Sequence, residues 1–220
     1  MGHTMCFSAT ASFTAGVALS AVGIVTIKKT RTRSEIPLAA IPLVCGIQQL
    51  VEGFVWLSLG SGNAILNALA SNTYYVFANV WWPIFLPLAV LLVETVRWRK
   101  NILLAFEVAG IGIGAYFAQY ILTNAPITSR VLDQCIVYSH PTWYIHPVLA
   151  AYVIVICIGC LVSSKKIINV FGMLLFASLL VTYFFYTAAL VSVWCFFAGL
   201  LSMVIYTYFT RGATGTRRVR

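Results

Sequence analysis

Seven stretches of this chain are each long and apolar enough to cross a bilayer, and that feature constrains its fold more than any other. They run over about residues 10–27, 36–59, 74–96, 102–123, 143–163, 167–188 and 191–210. A helix that crosses roughly 30 Å of hydrocarbon needs about 20 mostly apolar residues. Short polar segments punctuate the stretches: Lys28-Lys29-Thr30-Arg31-Thr32-Arg33, Gly60-Ser61-Gly62-Asn63, Arg97-Trp98-Arg99-Lys100 and Lys165-Lys166. Pro37, just after Ser34-Glu35, suits the first turn of a helix, where its missing N–H costs nothing. The sixth and seventh stretches are nearly continuous, with a tight turn expected near Ala189. Composition closes off the soluble alternatives. Charged residues make up only 9% of the chain, against about 25% in a soluble domain. The predicted fold is all-α: a polytopic integral membrane protein, a bundle of seven transmembrane helices. An extracytoplasmic segment is expected over 1–9, the helical domain over 10–211 and a basic cytoplasmic tail over 212–220.

Orientation follows from Lys and Arg, which accumulate on the cytoplasmic side. Thirteen of the fourteen fall in alternate connections or in the tail (Arg211, Arg217, Arg218, Arg220); Arg130 alone lies opposite. The N-terminus is therefore expected outside and the C-terminus in the cytoplasm. The net charge of +9 is a topology signal, with the basic loops touching anionic lipid headgroups. It is not a nucleic-acid footprint, because the basic residues are scattered over short loops. The first stretch has its positive charges after it, unlike a signal peptide, so it is read as a retained helix. Spans three and seven align loosely, but span six has no counterpart of Gln48, Gln49 and Glu52, so no internal repeat is assigned.

Ionisable groups at membrane depth are where function is sought first. Glu94 is expected at the cytoplasmic interface beside Arg97, and Glu107 as a packing or proton-relay residue in span four. Glu52 differs. Gln48 and Glu52 are four apart and share a helix face, with Gln49 close to it. Such an amide–carboxyl face cannot look at lipid and must turn into the bundle. A carboxyl taken out of water there could be neutral. Two readings stay open: an interhelical hydrogen-bond clamp, or a ligand, metal or proton site. Depth places Asn79, Trp82, Tyr116, Gln119, Tyr120, His146 and Cys195 at the same outer level. The candidate ligand-binding set is thus Glu52, Gln48, Gln49, Asn79, Gln119 and His146, around a cavity facing outside. Trp81, Trp143 and Trp194 are expected as interfacial anchors.

The longest outer loop, 124–142, holds Arg130, Asp133, Cys135, Tyr138 and His140. His140 and His146, completed by Glu52 and Cys6, form a candidate metal set; no other cofactor is implied. Cys6 and Cys135, both expected outside, are a candidate disulfide. Cys157 and Cys160 have CxxC spacing but lie inside a helix, where small-residue packing is the better reading. Gly110, Gly112 and Gly114 read as close helix packing. The functional expectation is a binding or transport protein for a small polar molecule or ion. An intramembrane metal-dependent enzyme and an accessory subunit of a membrane complex are the alternatives, and a homo-oligomer is compatible with each.

The opening Met5-Cys6-Phe7-Ser8-Ala9-Thr10-Ala11-Ser12-Phe13, the basic loop after it, and the block Ile36-Pro37-Leu38 … Gln48-Gln49 … Glu52-Gly53 … Trp56 resemble an uncharacterised family of small bacterial seven-helix membrane proteins. The resemblance is specific over roughly residues 5–57. It implies a multi-pass protein of the bacterial cytoplasmic membrane and no chemistry, and it favours Met5 as the usual start. Other seven-helix families fit poorly. A retinal-binding protein needs a lysine within a span, and none is present. A zinc hydrolase of the ceramidase type uses three histidines and an intramembrane Asp and Ser, which this chain does not offer. Neither a Gly-x-Ser-x-Gly nucleophile motif nor a phosphate or dinucleotide loop occurs.

Overall fold

The computed structural model describes residues 8–139 and 147–214. Six helices are long and apolar enough to cross a membrane: Ala9–Ile27, Arg33–Ser61, Ala64–Val93, Arg97–Asn124, Lys166–Phe185 and Thr187–Thr210. A shorter apolar helix, Pro147–Val162, stands between the fourth and sixth in chain order. The seven are called the first to seventh helix below. The set is consistent with an all-α, multi-pass membrane protein. Its outer surface agrees: Leu122 is 83% exposed and Phe185 77%, and Val108, Met173 and Leu180 also face outward. Such a surface is what a lipid environment tolerates and water does not.

Helix boundaries follow local chemistry. Ser8 caps the first helix by accepting from the Ala11 N–H at 3.2 Å. The second helix ends where Gly62 turns left-handed at φ 66. Asn63 then starts the third by accepting from the Leu66 N–H at 3.0 Å. The third helix therefore begins ten residues before the expected residue 74. Its polar first turns are used rather than exposed: Asn67 and Ser71 bond Ser129, and Asn72 bonds the backbone of Ile127. The turn between the sixth and seventh helices falls where expected, as a 3-10 turn over Thr187–Ala189.

The loop after the fourth helix is folded over 129–138. Ser129–Leu132 (β1) and Cys135–Tyr138 (β2) pair antiparallel, with Leu132 opposite Cys135. The intervening Asp133 and Gln134 have φ of 48 and 65, which is the two-residue hairpin turn whose twist matches the strands. This end is called the hairpin end. The opposite end gathers the basic connections: Arg99 donates to the Val162 and Ser163 carbonyls at 2.8 and 2.7 Å, joining the third connection to the fifth.

Two helices carry π-turns, Phe77–Trp81 in the third and Ile154–Ile158 in the fifth. Tyr152, just before the second, donates its hydroxyl to the Ala78 carbonyl inside the first at 2.6 Å. Pro87 lacks the N–H that would bond the Pro83 carbonyl, and Gly110 of the fourth helix packs onto that carbonyl so closely that a Cβ would sit 1.9 Å from it. The first and second helices approach comparably at Gly23, where a Cβ would lie 2.3 Å from the Leu43 nitrogen.

The core corrects several expectations. Trp194 is not an interfacial anchor: it is buried, and its indole donates to the Leu175 carbonyl at 3.2 Å. Trp81 does lie exposed, while Trp143 is outside the described residues. Glu94 does not pair with Arg97. It is buried and accepts from the N–H groups of Thr95, Val96 and Ser164. Glu107 is buried against the Leu88 backbone, and its Oε2 meets no partner among the described residues. Cys157 and Cys160 are both buried, and Gly172 of the sixth helix packs onto the Cys160 Cβ.

Candidate functional site

The second helix turns its amide–carboxyl face into the bundle. Gln48, Gln49 and Glu52 are 2%, 1% and 2% exposed. Gly46 and Gly53, seven residues apart on another side of the same helix, let the first helix approach there, packing against Ser20 and Phe13. The polar face is thereby left to the third and seventh helices and the hairpin.

Ser192 of the seventh helix donates its hydroxyl to Glu52 Oε1 at 2.5 Å. Gln49 and Tyr74 also face the carboxyl, without closing hydrogen-bond geometry: Gln49 Oε1 and Nε2 and the Tyr74 hydroxyl meet no partner among the described residues. The Tyr138 ring, from β2, stacks on Tyr74 with centroids 5.0 Å apart and planes 7° apart; its hydroxyl is likewise unpartnered there. Burial, then the nearby Glu52 and Cys195, push the Tyr138 phenol well above its ordinary value, so it remains a donor at neutral pH. Gln48 Oε1 accepts from the Trp82 indole at 2.6 Å, while its Nε2 has no such partner. Cys195 approaches Gln48 and Tyr74 from the seventh helix.

Toward the hairpin end, a cavity of about 340 Å3 adjoins this cluster. Arg130, Tyr75, Tyr138, Ser139, Thr187 and Ser192 contribute to its wall. Ser192 and Tyr138 thus belong to both the cavity and the Glu52 cluster. Arg130 is exposed at the rim, the one cation of the hairpin end among the described residues. A second space of about 40 Å3 lies among Gln48, Trp82, Tyr152 and Cys195, enough for a single water. The arrangement sets a cavity with an exposed guanidinium in its wall beside a buried carboxyl, which lies one hydrogen bond further in through Ser192.

The candidate residues separate in space. Glu52, Gln48 and Gln49 cluster. Asn79 is buried in the first π-turn, but its amide bonds the Tyr75 carbonyl of its own helix at 3.1 Å. Gln119 lies on the exposed face of the fourth helix and is not brought to Glu52. His140, His146 and Cys6 lie outside the described residues, and with them the metal set and the Cys6–Cys135 bridge. Among the described residues no three His, Cys, Asp or Glu side chains gather as metal ligands. Nothing in the sequence marks Ser192 or Tyr74. Each is one hydroxyl in an apolar helix, with no spacing to single it out. The hairpin was legible in principle: β-branched residues flank the two-residue Asp133-Gln134.

A family model matches residues 5–220, and the chain belongs to that family, a family of unknown function (DUF6629). No curated protein matches it. No solved structure matches it either.

Proposed function

We propose that this member of a family of unknown function is a seven-span membrane protein that binds or transports a small polar solute carrying an anionic group, taken up at the hairpin end. The observation that carries the reading is the cavity of about 340 Å3 that has Arg130 at its rim and shares Ser192 and Tyr138 with the Glu52 cluster. Clefts and cavities of this size with a few convergent polar groups are the usual form of small-molecule sites. A guanidinium is suited to carboxylate or phosphate oxygens. The basic connections at the opposite end support placing the hairpin end outside, and the resemblance noted above adds a bacterial cytoplasmic membrane as the setting.

Purified protein in detergent tests the reading through thermal unfolding with inorganic phosphate, small carboxylates and amino acids. At least one is expected to raise the midpoint saturably, and Arg130→Gln is expected to remove that response. If none stabilises the protein, or if Arg130→Gln responds like wild type, the reading fails.

A further inference from the structure

Four buried side-chain atoms without hydrogen-bond partners among the described residues lie around Glu52: Gln49 Oε1 and Nε2, and the hydroxyls of Tyr74 and Tyr138; Gln48 Nε2, one helical turn away, is a fifth. Buried polar atoms are nearly always satisfied, and an exception points to an ion or water or to a functional need. The groups facing the carboxyl are neutral: Ser192 and Cys195 from the seventh helix, Gln49 from its own, Tyr74 from the third and Tyr138 from the hairpin. Among the described residues no Lys or Arg is hydrogen-bonded to Glu52. A carboxylate out of water needs a compensating positive charge or a proton.

We propose that a small alkali cation, Na+, binds between the Glu52 carboxylate and the side-chain oxygens of Gln49, Tyr74, Tyr138 and Ser192. This rests on the reading above that the cluster is a site. Oxygen ligands are the chemistry of hard cations. One carboxylate among neutral oxygens matches a single positive charge, whereas Ca2+ sites draw on more carboxylates and Mg2+ keeps several waters. Glu52 itself lines neither the 340 Å3 cavity nor the 40 Å3 space beside Gln48.

The same placement gives the cation a consequence for the solute. Ser192 spends its proton on Glu52 Oε1. A cation on that carboxylate takes over the lone pairs of Glu52 and frees the Ser192 O–H to turn toward the cavity whose wall includes Ser192. Na+ then prepares one donor for an anionic solute that Arg130 attracts, which is positive coupling between the two sites.

Thermal unfolding of the full chain in detergent, at constant ionic strength in NaCl, KCl or choline chloride and at several pH values, tests this. Na+ is expected to raise the midpoint saturably, K+ much less and choline not at all. Tyr74→Phe, which removes one oxygen and keeps the ring, is expected to weaken the apparent Na+ affinity about tenfold. Glu52→Gln is expected to abolish the response. Equal midpoints in Na+ and choline overturn the proposal, as does a response to pH that is the same in all three salts. A Na+ response that survives Glu52→Gln also overturns it. If Glu52→Gln does not fold, wild type and Tyr74→Phe still decide. Arg130→Gln separates the two readings: loss of solute binding with Na+ stabilisation intact leaves the cation site standing. A solute response without any Na+ effect removes the cation proposal alone.

Discussion

Glu94 shows how much one side chain can organise at the basic end. Burial would push its carboxyl up, but the N–H groups of Ser164, Val96 and Thr95 outweigh that and hold it down at about 2, against 4.5 for an ordinary carboxyl. The donors come from two connections that are far apart in sequence, so the ionised carboxylate ties the third–fourth turn to the fifth–sixth turn. Arg99 and Asn169 complete the tie by donating to the last carbonyls of the fifth helix. Because the folded value is the lower one, the stabilisation is complete above about pH 4.5. It falls as pH drops through the interval down to about 2. Glu94→Gln is expected to cost about 1.5–3 kcal/mol at pH 7, the range for hydrogen bonds to a charged group. Unfolding measured against pH should show the wild type converging on the variant below pH 4.5. A constant difference across that interval would mean that the charge of Glu94 is not what matters.

At the scale of helices, close approach depends on individual glycines rather than on their number. Gly110 lies against the Pro83 carbonyl, whose usual partner four residues on is a proline without an N–H. Gly112, two residues on, faces open space. The sequence run Gly110-Ile111-Gly112-Ile113-Gly114 does not distinguish them. Gly110→Ala should force the third and fourth helices apart and cost about 1–3 kcal/mol, the usual range for overpacking. Gly112→Ala should be neutral or stabilising by up to about 1 kcal/mol, because alanine is the better helix former. Thermal or denaturant unfolding of the two variants checks this. Equal effects would mean that Gly110 and the Pro83 carbonyl are not in close contact.

At the scale of the molecule, the basic connections at one end and the hairpin at the other define the two faces that a membrane would separate. Asn63→Cys, between the second and third helices, and Lys100→Cys, in the basic third connection, probe them. A membrane-impermeant maleimide applied to intact cells should label Asn63→Cys and leave Lys100→Cys unlabelled until the membrane is opened. Wild type serves as the control for its own cysteines, of which Cys45, Cys157 and Cys160 are buried. Labelling of Lys100→Cys from outside would reverse the orientation, and with it the side from which the cavity is reached.

Sequence alone determined the apolar helices, the alternation of their basic connections and the inward turn of Gln48, Gln49 and Glu52. Each of these is a local requirement: about 20 apolar residues to cross lipid, charges kept out of hydrocarbon, and no amide–carboxyl face against acyl chains. Tertiary structure decided which partners meet that face. In a nearly all-apolar helix, polar and apolar sides barely differ, so sequence periodicity carries little information about rotation. Packing turns Ser192 and Tyr74 toward Glu52 and turns Gln119 to the outside. The early start of the third helix has the same origin. Asn67, Ser71 and Asn72 look like loop residues until the hairpin they bind is present to satisfy them. Trp194 resembles an interfacial anchor until the sixth helix supplies the Leu175 carbonyl in the core. In each case the deciding partner lies dozens of residues away or on another helix, and its position is set by packing geometry that no local window of sequence contains.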